Sequence, residues 1–158
     1  MRKFTIFFLI LFSIILTGCG FKVLNKSELI NFKIQNIETF GDNRINYLIK
    51  NNLNNTFSKG TAEDFVILKI TSKKNKVIKE KNIKNQITKY QINLDCNVEV
   101  NFVNKNIIKK FNLSLNGGFD VSSSHATTIN NQTNLENYLA NKISDRIISK
   151  LLLNFNDI

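Results

Sequence analysis

The sequence predicts an α+β fold, an α/β sandwich in which two amphipathic helices pack on one face of a mainly antiparallel four-stranded sheet. Three observations predict it. In "YQINLDCNVEVNF", Tyr90, Ile92, Leu94, Cys96, Val98, Val100 and Phe102 take every second position, with polar residues between them; a two-residue period is a strand with one apolar and one wet face. Near the end of the chain Leu135, Leu139, Ile143, Ile147 and Leu151 recur every fourth residue, the apolar stripe of a surface helix. The remaining segments are also one-sided, and helices laid on a sheet bury the apolar side of both.

The elements follow in order. "INFKIQNIETF" alternates at Phe32 and Ile34 and reads as the first strand. Asp42 is placed to cap a helix by accepting a hydrogen bond from a free backbone N–H, and Ile45, Leu48, Ile49, Asn52 and Leu53 follow at helical spacing. "EDFVILKITS" is a strand, "KKNK" the turn after it, and "VIKEKNIKNQITKY" a return that runs on into the long strand. Asn104-Lys105-Asn106 supplies the next turn, because asparagine tolerates left-handed backbone. A second alternating run, Phe111, Leu113, Leu115, Gly117, Phe119 and Val121, closes a long hairpin, with Gly117-Gly118 marking a bulge or bend. "SSSHATT" is a polar link, and the last helix starts near Ile129 or Asn134 and ends at Leu153, with Tyr138, Ala140, Ile148 and Leu152 flanking its stripe.

The start of the chain has a different character. Arg2 and Lys3 precede the apolar run "FTIFFLILFSIIL" from Phe4 to Leu16. A membrane-spanning helix needs about 20 apolar residues, and this shorter run, between a basic start and the small residues Thr17 and Gly18, has the form of a secretory signal. Leu16-Thr17-Gly18-Cys19 resembles the bacterial lipobox. That likeness implies diacylglyceryl attachment to the Cys19 sulfur, cleavage before it, and acylation of the new amino group, which together anchor a protein stably to a membrane. Gly20 stands where an aspartate resembles an inner-membrane retention signal, so the expected destination is the outer membrane, lipid-anchored, on its periplasmic side. The expected division is a lipoprotein signal peptide over 1–18, an acylated tether over 19–28 and a single domain over 29–158. Apart from the covalent lipid on Cys19, no cofactor is expected.

Lys and Arg number 22 against 12 Asp and Glu, a formal net charge of +10. Loss of Arg2 and Lys3 with the leader lowers +10 by two, to +8. Such a charge attracts anionic partners. Export argues against nucleic acid, which leaves acidic glycolipid and acidic protein surfaces. With Cys19 acylated, Cys96 has no partner in the chain; it lies on the apolar face of its strand and is expected to behave as a small buried hydrophobe. His125 is the only histidine, too few for a zinc site built on several imidazoles. Ser122, Ser123 and Ser124 beside it suit free backbone groups at a strand-to-helix link better than a serine–histidine pair. No Gly-rich phosphate loop is present. Neither catalysis nor a metal is expected. The remaining chemistry is a lysine cluster, Lys73, Lys74, Lys76, Lys79, Lys81, Lys84 and Lys89. It suits the phosphates or carboxylates of a glycolipid, and it equally suits a sheet edge guarded against aggregation.

Three stretches carry a resemblance to a family: "LTGCGFKVL", "FKIQNIETFGDNRINYLIKNNLNNTF" and "FDVSSSHATTINNQTNLENYLANKISDRIISKLLL". In their order of lipobox, strand, turn, first helix, strand end, link and last helix, they resemble the outer-membrane lipopolysaccharide-assembly lipoprotein (LptE) family. The resemblance implies two helices on a four-stranded sheet. It also implies a role inside the lumen of a large β-barrel (the LptD-like lipopolysaccharide translocon), assisting its assembly and the delivery of lipopolysaccharide to the outer leaflet. Basic residues of that family are implied to meet lipopolysaccharide, and the lysine cluster supplies candidates. One departure is that the cluster lacks arginine, whose planar fork suits phosphate; after the leader only Arg44 and Arg146 remain, both in expected helices. The competing readings are a lipid carrier with an apolar hollow, an accessory lipoprotein of another outer-membrane barrel machine, and, more remotely, a periplasmic enzyme inhibitor.

Overall fold

The computed structural model describes residues 32–57 and 64–156; the expected signal peptide, Cys19 and the tether lie outside the described residues. The chain forms β1 (Phe32–Gly41), α1 (Asn43–Phe57), β2 (Asp64–Lys81), β3 (Ile87–Phe102), β4 (Ile107–Asp120) and α2 (His125–Asn156). The strands lie in the order β1-β2-β3-β4. β2, β3 and β4 are antiparallel neighbours, while β1 runs parallel to β2. The sheet is therefore mixed with antiparallel pairs in the majority, and α1 is the crossover that a parallel pair requires. α1 lies against β1 and β2, α2 against β3 and β4, and the helices touch each other.

Register explains which side chains go inward. Ile70 pairs with Val98, and Cys96 with Leu113, so the even residues of β2 and β3 and the odd residues of β4 share the face beneath the helices. Val66, Leu68, Ile70, Ile92, Leu94, Cys96 and Val100 are closed from solvent there, against Ile45, Ile49 and Leu53 of α1 and Ile143, Ile147 and Leu151 of α2. Burial of each such side chain is favourable by about 1.5–3 kcal/mol. In β1 the register slips between Ile34 and Asn36. That bulge moves the inward set from Phe32 and Ile34 to Ile37, and the sequence alternation breaks at the same place.

Two expectations are corrected. "KKNK" is not a turn: β2 continues through Lys73–Lys76, Lys74 opposite Leu94 and Lys76 opposite Ile92, and the chain reverses at Asn82–Gln86. There the Asn82 N–H donates to the Gln86 carbonyl and the Asn85 N–H to the Asn82 carbonyl, both at 2.9 Å. Asn82 Oδ1 also accepts from the N–H groups of Lys84 and Gln86, both at 3.0 Å. Asn85 takes the left-handed conformation, φ 60°, which asparagine adopts at low cost. Lysines keep the strand going because pairing to β3 rewards extended backbone whatever the side chain. The last helix begins at His125, before the expected Ile129, because the Ser124 Oγ accepts from the Thr127 N–H at 3.4 Å and the Thr128 Oγ1 accepts from the Ser122 N–H at 2.9 Å. The hydroxyls expected to line a link instead serve the helix start.

Asp42 caps α1 as expected, its Oδ1 accepting from the Ile45 N–H at 2.9 Å. Gly117 faces inward without a bulge, the β3–β4 register being continuous from Lys89–Asp120 to Phe102–Ile107. A Cβ at Gly117 would come within 2.6 Å of Leu135 Cδ1, so the missing side chain is what lets α2 lie close.

Candidate functional site

β2 has 18 residues, enough to extend about 60 Å. β1 enters the sheet with Phe32 opposite Asp64, so the chain comes in at one end and the Asn82–Gln86 turn lies at the other. All seven candidate lysines belong to the turn-end half of the β2–β3 hairpin. The structure divides them into two groups.

Lys74, Lys76 and Lys89 are engaged inside the molecule. Lys74 points beneath the helices and reaches Glu136 at 3.1 Å and Asp42 at 3.2 Å. Arg44 closes on the other oxygen of Glu136 at 3.0 Å. This network joins the start of α1, the middle of β2 and the first half of α2, and Glu136 within it is only 2 % exposed. Burial pushes the Lys74 ammonium down, but its hydrogen bonds to Glu136 and Asp42 outweigh that and hold its pKa above the ordinary lysine value. Burial likewise pushes Asp42 up, and the Ile45 N–H and Lys74 overcome it, leaving Asp42 below its ordinary range. The Lys76 Nζ donates to Gln132 at 3.1 Å and lies 4.7 Å from the centre of the Tyr90 ring. Lys89 sits between Asp120 at 3.4 Å and Glu80 at 3.9 Å.

Lys73, Lys79, Lys81 and Lys84 face outward. Lys81 donates to Asn85 Oδ1 within the turn at 3.0 Å, while the Lys73, Lys79 and Lys84 side chains make no hydrogen bond or ion pair with another described residue. Lys79 is the extra residue of a bulge, since Ile78 pairs with Tyr90 and Glu80 with Lys89. At the tip between them Ile83 is 102 % exposed, with Ile78 at 49 % and Val77 at 37 %. The turn thus holds an apolar side chain among cations on a hydrogen-bonded backbone. Such a tip suits an anionic amphiphile, whose phosphates meet ammonium groups while its chains meet the isoleucines. The isoleucines were visible in the sequence, but a turn placed at Lys73–Lys76 hid their position at the tip.

On the uncovered face of the sheet, Lys110 pairs with Glu99 at 2.9 Å. The Lys110 hydrogen bond holds the Glu99 carboxyl below its ordinary range, so that charge is already matched. Cys96 is closed from solvent. Burial, with Asp95 adding to it, pushes its thiol up to about 12, as the alternation of its strand implied for a buried residue. His125 is exposed at the start of α2. Among the described residues no three His, Cys, Asp or Glu side chains are grouped to hold a metal, and no helix is long and apolar enough to cross a membrane.

No family model and no curated protein matches the chain in sequence. The fold is that of several solved structures, lipoproteins among them. Rare lipoprotein B from Shewanella oneidensis superposes with a TM-score of 0.58 at 10 % identity, over 77 % of this chain and 97 % of its own. A lipoprotein B from Nitrosomonas europaea superposes at 0.56 and 8 % identity, over 80 % of this chain and 88 % of its own. XCC0632 from Xanthomonas campestris superposes at 0.52 and 7 % identity, over 79 % of this chain and 86 % of its own. At these identities the likeness is one of fold. It spans nearly all of the first of those chains.

Proposed function

We propose that this chain is a periplasm-facing outer-membrane lipoprotein that plugs and assists assembly of the lipopolysaccharide-translocating β-barrel and helps deliver lipopolysaccharide to the outer leaflet. The observation that carries the reading is the fold match to lipoprotein B structures over almost their full length, set beside the lipobox-like Leu16–Cys19 and the LptE resemblance of the sequence. In this reading Cys19 bears the lipid, and Lys73, Lys79, Lys81 and Lys84 are the residues that meet lipopolysaccharide. Lys74, Lys76 and Lys89 hold the hairpin against α1, α2 and β4 in support of them. Phe32 and the tip at Asn82–Gln86 stand at opposite ends of β2, which supports a reading in which the cations face away from the lipid anchor.

The packing weighs against a carrier with an apolar hollow. Ile45, Ile49, Leu53, Leu68, Ile70, Leu94, Ile143, Ile147 and Leu151 fill the space between helices and sheet with no exposure, and a ferried acyl chain would have to displace them. Photo-crosslinking in cells from position 84 tests the reading, followed by identification of the captured partner. A large β-barrel is the expected product. Recovery of the chain as a lone monomer from intact outer membranes, with no barrel adduct, would overturn it.

A further inference from the structure

β4 is an edge of the sheet, and among the described residues no strand pairs with its outer side. Long edge strands template the addition of another strand, and proteins commonly blunt them with bulges, prolines or inward charges. β1, the opposite edge, carries a bulge. β4 carries none along its 14 residues, the chain has no proline, and beyond Lys109 and Lys110 the stretch from Phe111 to Phe119 has no charged residue to guard it.

A groove of about 450 Å³ runs beside this edge, between Leu115 and Asn116 of β4 and Tyr138, Lys142, Arg146 and Ser149 of α2. The exposed Arg146 reaches across it and donates to the Ser114 main-chain carbonyl at 3.4 Å. Asn131 does the same for the Asp120 carbonyl at 3.1 Å. Acceptors of the β4 backbone are thus met by side chains of α2. Lys142 lies 5.8 Å from the Tyr138 ring centre and Lys150 lies 5.4 Å from that of Phe111 in β4; Lys142 and Arg146 line the groove, and Lys150 continues their basic row past its end beside β4. Residues four apart on a helix rise about 6 Å, and alternate residues of a strand about 6.8 Å. The row therefore keeps step with every second side chain of a strand laid against β4.

We propose that the β4–α2 groove binds an extended acidic segment of a partner protein, which adds to the sheet as a fifth strand beside β4 and places Asp or Glu side chains at alternate positions against Lys142, Arg146 and Lys150. Main-chain hydrogen bonds to β4 supply the docking, and the cations select the partner and its register. The same cations repel segments that are basic at those positions; Asp145, which also lines the groove, is already engaged within the molecule. Residues 21–30 of the chain itself carry Lys22 and Lys26 against Glu28 alone, so they are a poor electrostatic match for the row. The groove is separate from the lysine tip, and it stands whether or not the tip meets glycolipid.

The test uses the full chain in nonionic detergent and a labelled synthetic peptide alternating valine with glutamate, about ten residues long, the upper range of natural strands. Fluorescence anisotropy is expected to show saturable binding, and hydrogen exchange to show new protection of the β4 amides that face away from β3, those of Ser114, Asn116 and Gly118. The double variant Lys142→Glu/Arg146→Glu alters exposed side chains and is expected to keep the wild-type melting temperature while weakening binding more than tenfold. The counterpart peptide alternating valine with lysine should bind the wild type at least tenfold more weakly. Equal binding of both peptides, an unaffected double variant, or binding without β4 protection would each overturn the proposal. So would protection of the outward-facing Ser114, Asn116 and Gly118 amides in the full chain alone, whether by its own tether or by a second copy.

Discussion

At the residue scale the unusual group is Glu136, a nearly closed carboxylate with Lys74 and Arg44 upon it. Removing one partner from a fully buried ion pair costs about 3–5 kcal/mol. Here Arg44 is half exposed, and solvent screening reduces the figure. Glu136→Gln is therefore expected to cost about 2 kcal/mol, read as a lower urea midpoint with an unchanged slope. The pH dependence follows from its neighbours. Asp42 titrates below 3.8 in the folded chain; its contribution is whole above that value and is lost as pH falls through the folded pKa. Lys74 titrates above 10.5 and Cys96 at about 12 instead of 9.0. Their contributions are whole below 10.5 and 9.0 respectively and disappear as pH climbs through the folded values. Urea midpoints should be level from about pH 5 to 8 and fall on both sides. In Glu136→Gln the alkaline fall should be shallower, because Lys74 keeps only Asp42 as a charged partner. An unchanged midpoint at pH 7 would remove the network from any account of stability.

At the element scale Gly41 decides how β1 turns into α1. Its φ of +96° is open to glycine at little cost, and a Cβ there would run into the Ser72 carbonyl oxygen, the acceptor of the Asp42 N–H at 3.2 Å. Gly41→Ala is expected to destabilise by more than about 2 kcal/mol, combining backbone strain with a displaced partner strand. Gly118→Ala is the control. Its Cβ would come closest to the flexible Lys89 Cε at 3.2 Å, with the Tyr90 carbonyl oxygen at an ordinary contact distance of 3.5 Å, and the change should stay within about 1 kcal/mol; equal losses in thermal unfolding would contradict the geometric difference. The elements that were legible in the sequence are those whose burial repeats locally. β3 shows every inward residue, α2 its stripe of Leu139, Ile143, Ile147 and Leu151, and Asp42 its cap. What escaped depends on contacts distant in sequence. The β2 continuation through Lys73–Lys76 is set by β3, the parallel pairing of β1 by α1 crossing the sheet, and the Lys74–Glu136 pair by residues 62 apart. The lysine cluster was readable as composition, but its division into engaged and outward groups needed the register. The row of Lys142, Arg146 and Lys150 was present at helical spacing and acquires meaning only beside the β4 edge.

At the scale of the whole molecule the fold separates two kinds of surface along the sheet. The chain enters beside Asp64, and the free cations collect at Asn82–Gln86, the length of β2 away. Four outward lysines without arginine bind as point charges on flexible stems, so their hold on a glycolipid should depend strongly on ionic strength. Exposed charges are screened within about 10 Å at 0.1 M salt. Purified lipopolysaccharide is therefore expected to bind the full chain most tightly at low salt and to weaken at least about tenfold on raising salt to about 0.5 M. Lys79→Glu/Lys81→Glu/Lys84→Glu changes side chains that hold no distant element, so it should melt with the wild type yet lose that binding. Lys74→Met should show the reverse pattern, with lower stability and binding retained at temperatures where the fold is intact. Lipopolysaccharide bound equally by the triple variant at low salt would exclude the tip as its contact. The acidic peptide should still bind the β4 groove of the triple variant with undiminished affinity, because Lys142, Arg146 and Lys150 are untouched, and a parallel loss there would mean that the two surfaces are one electrostatic field and not two sites.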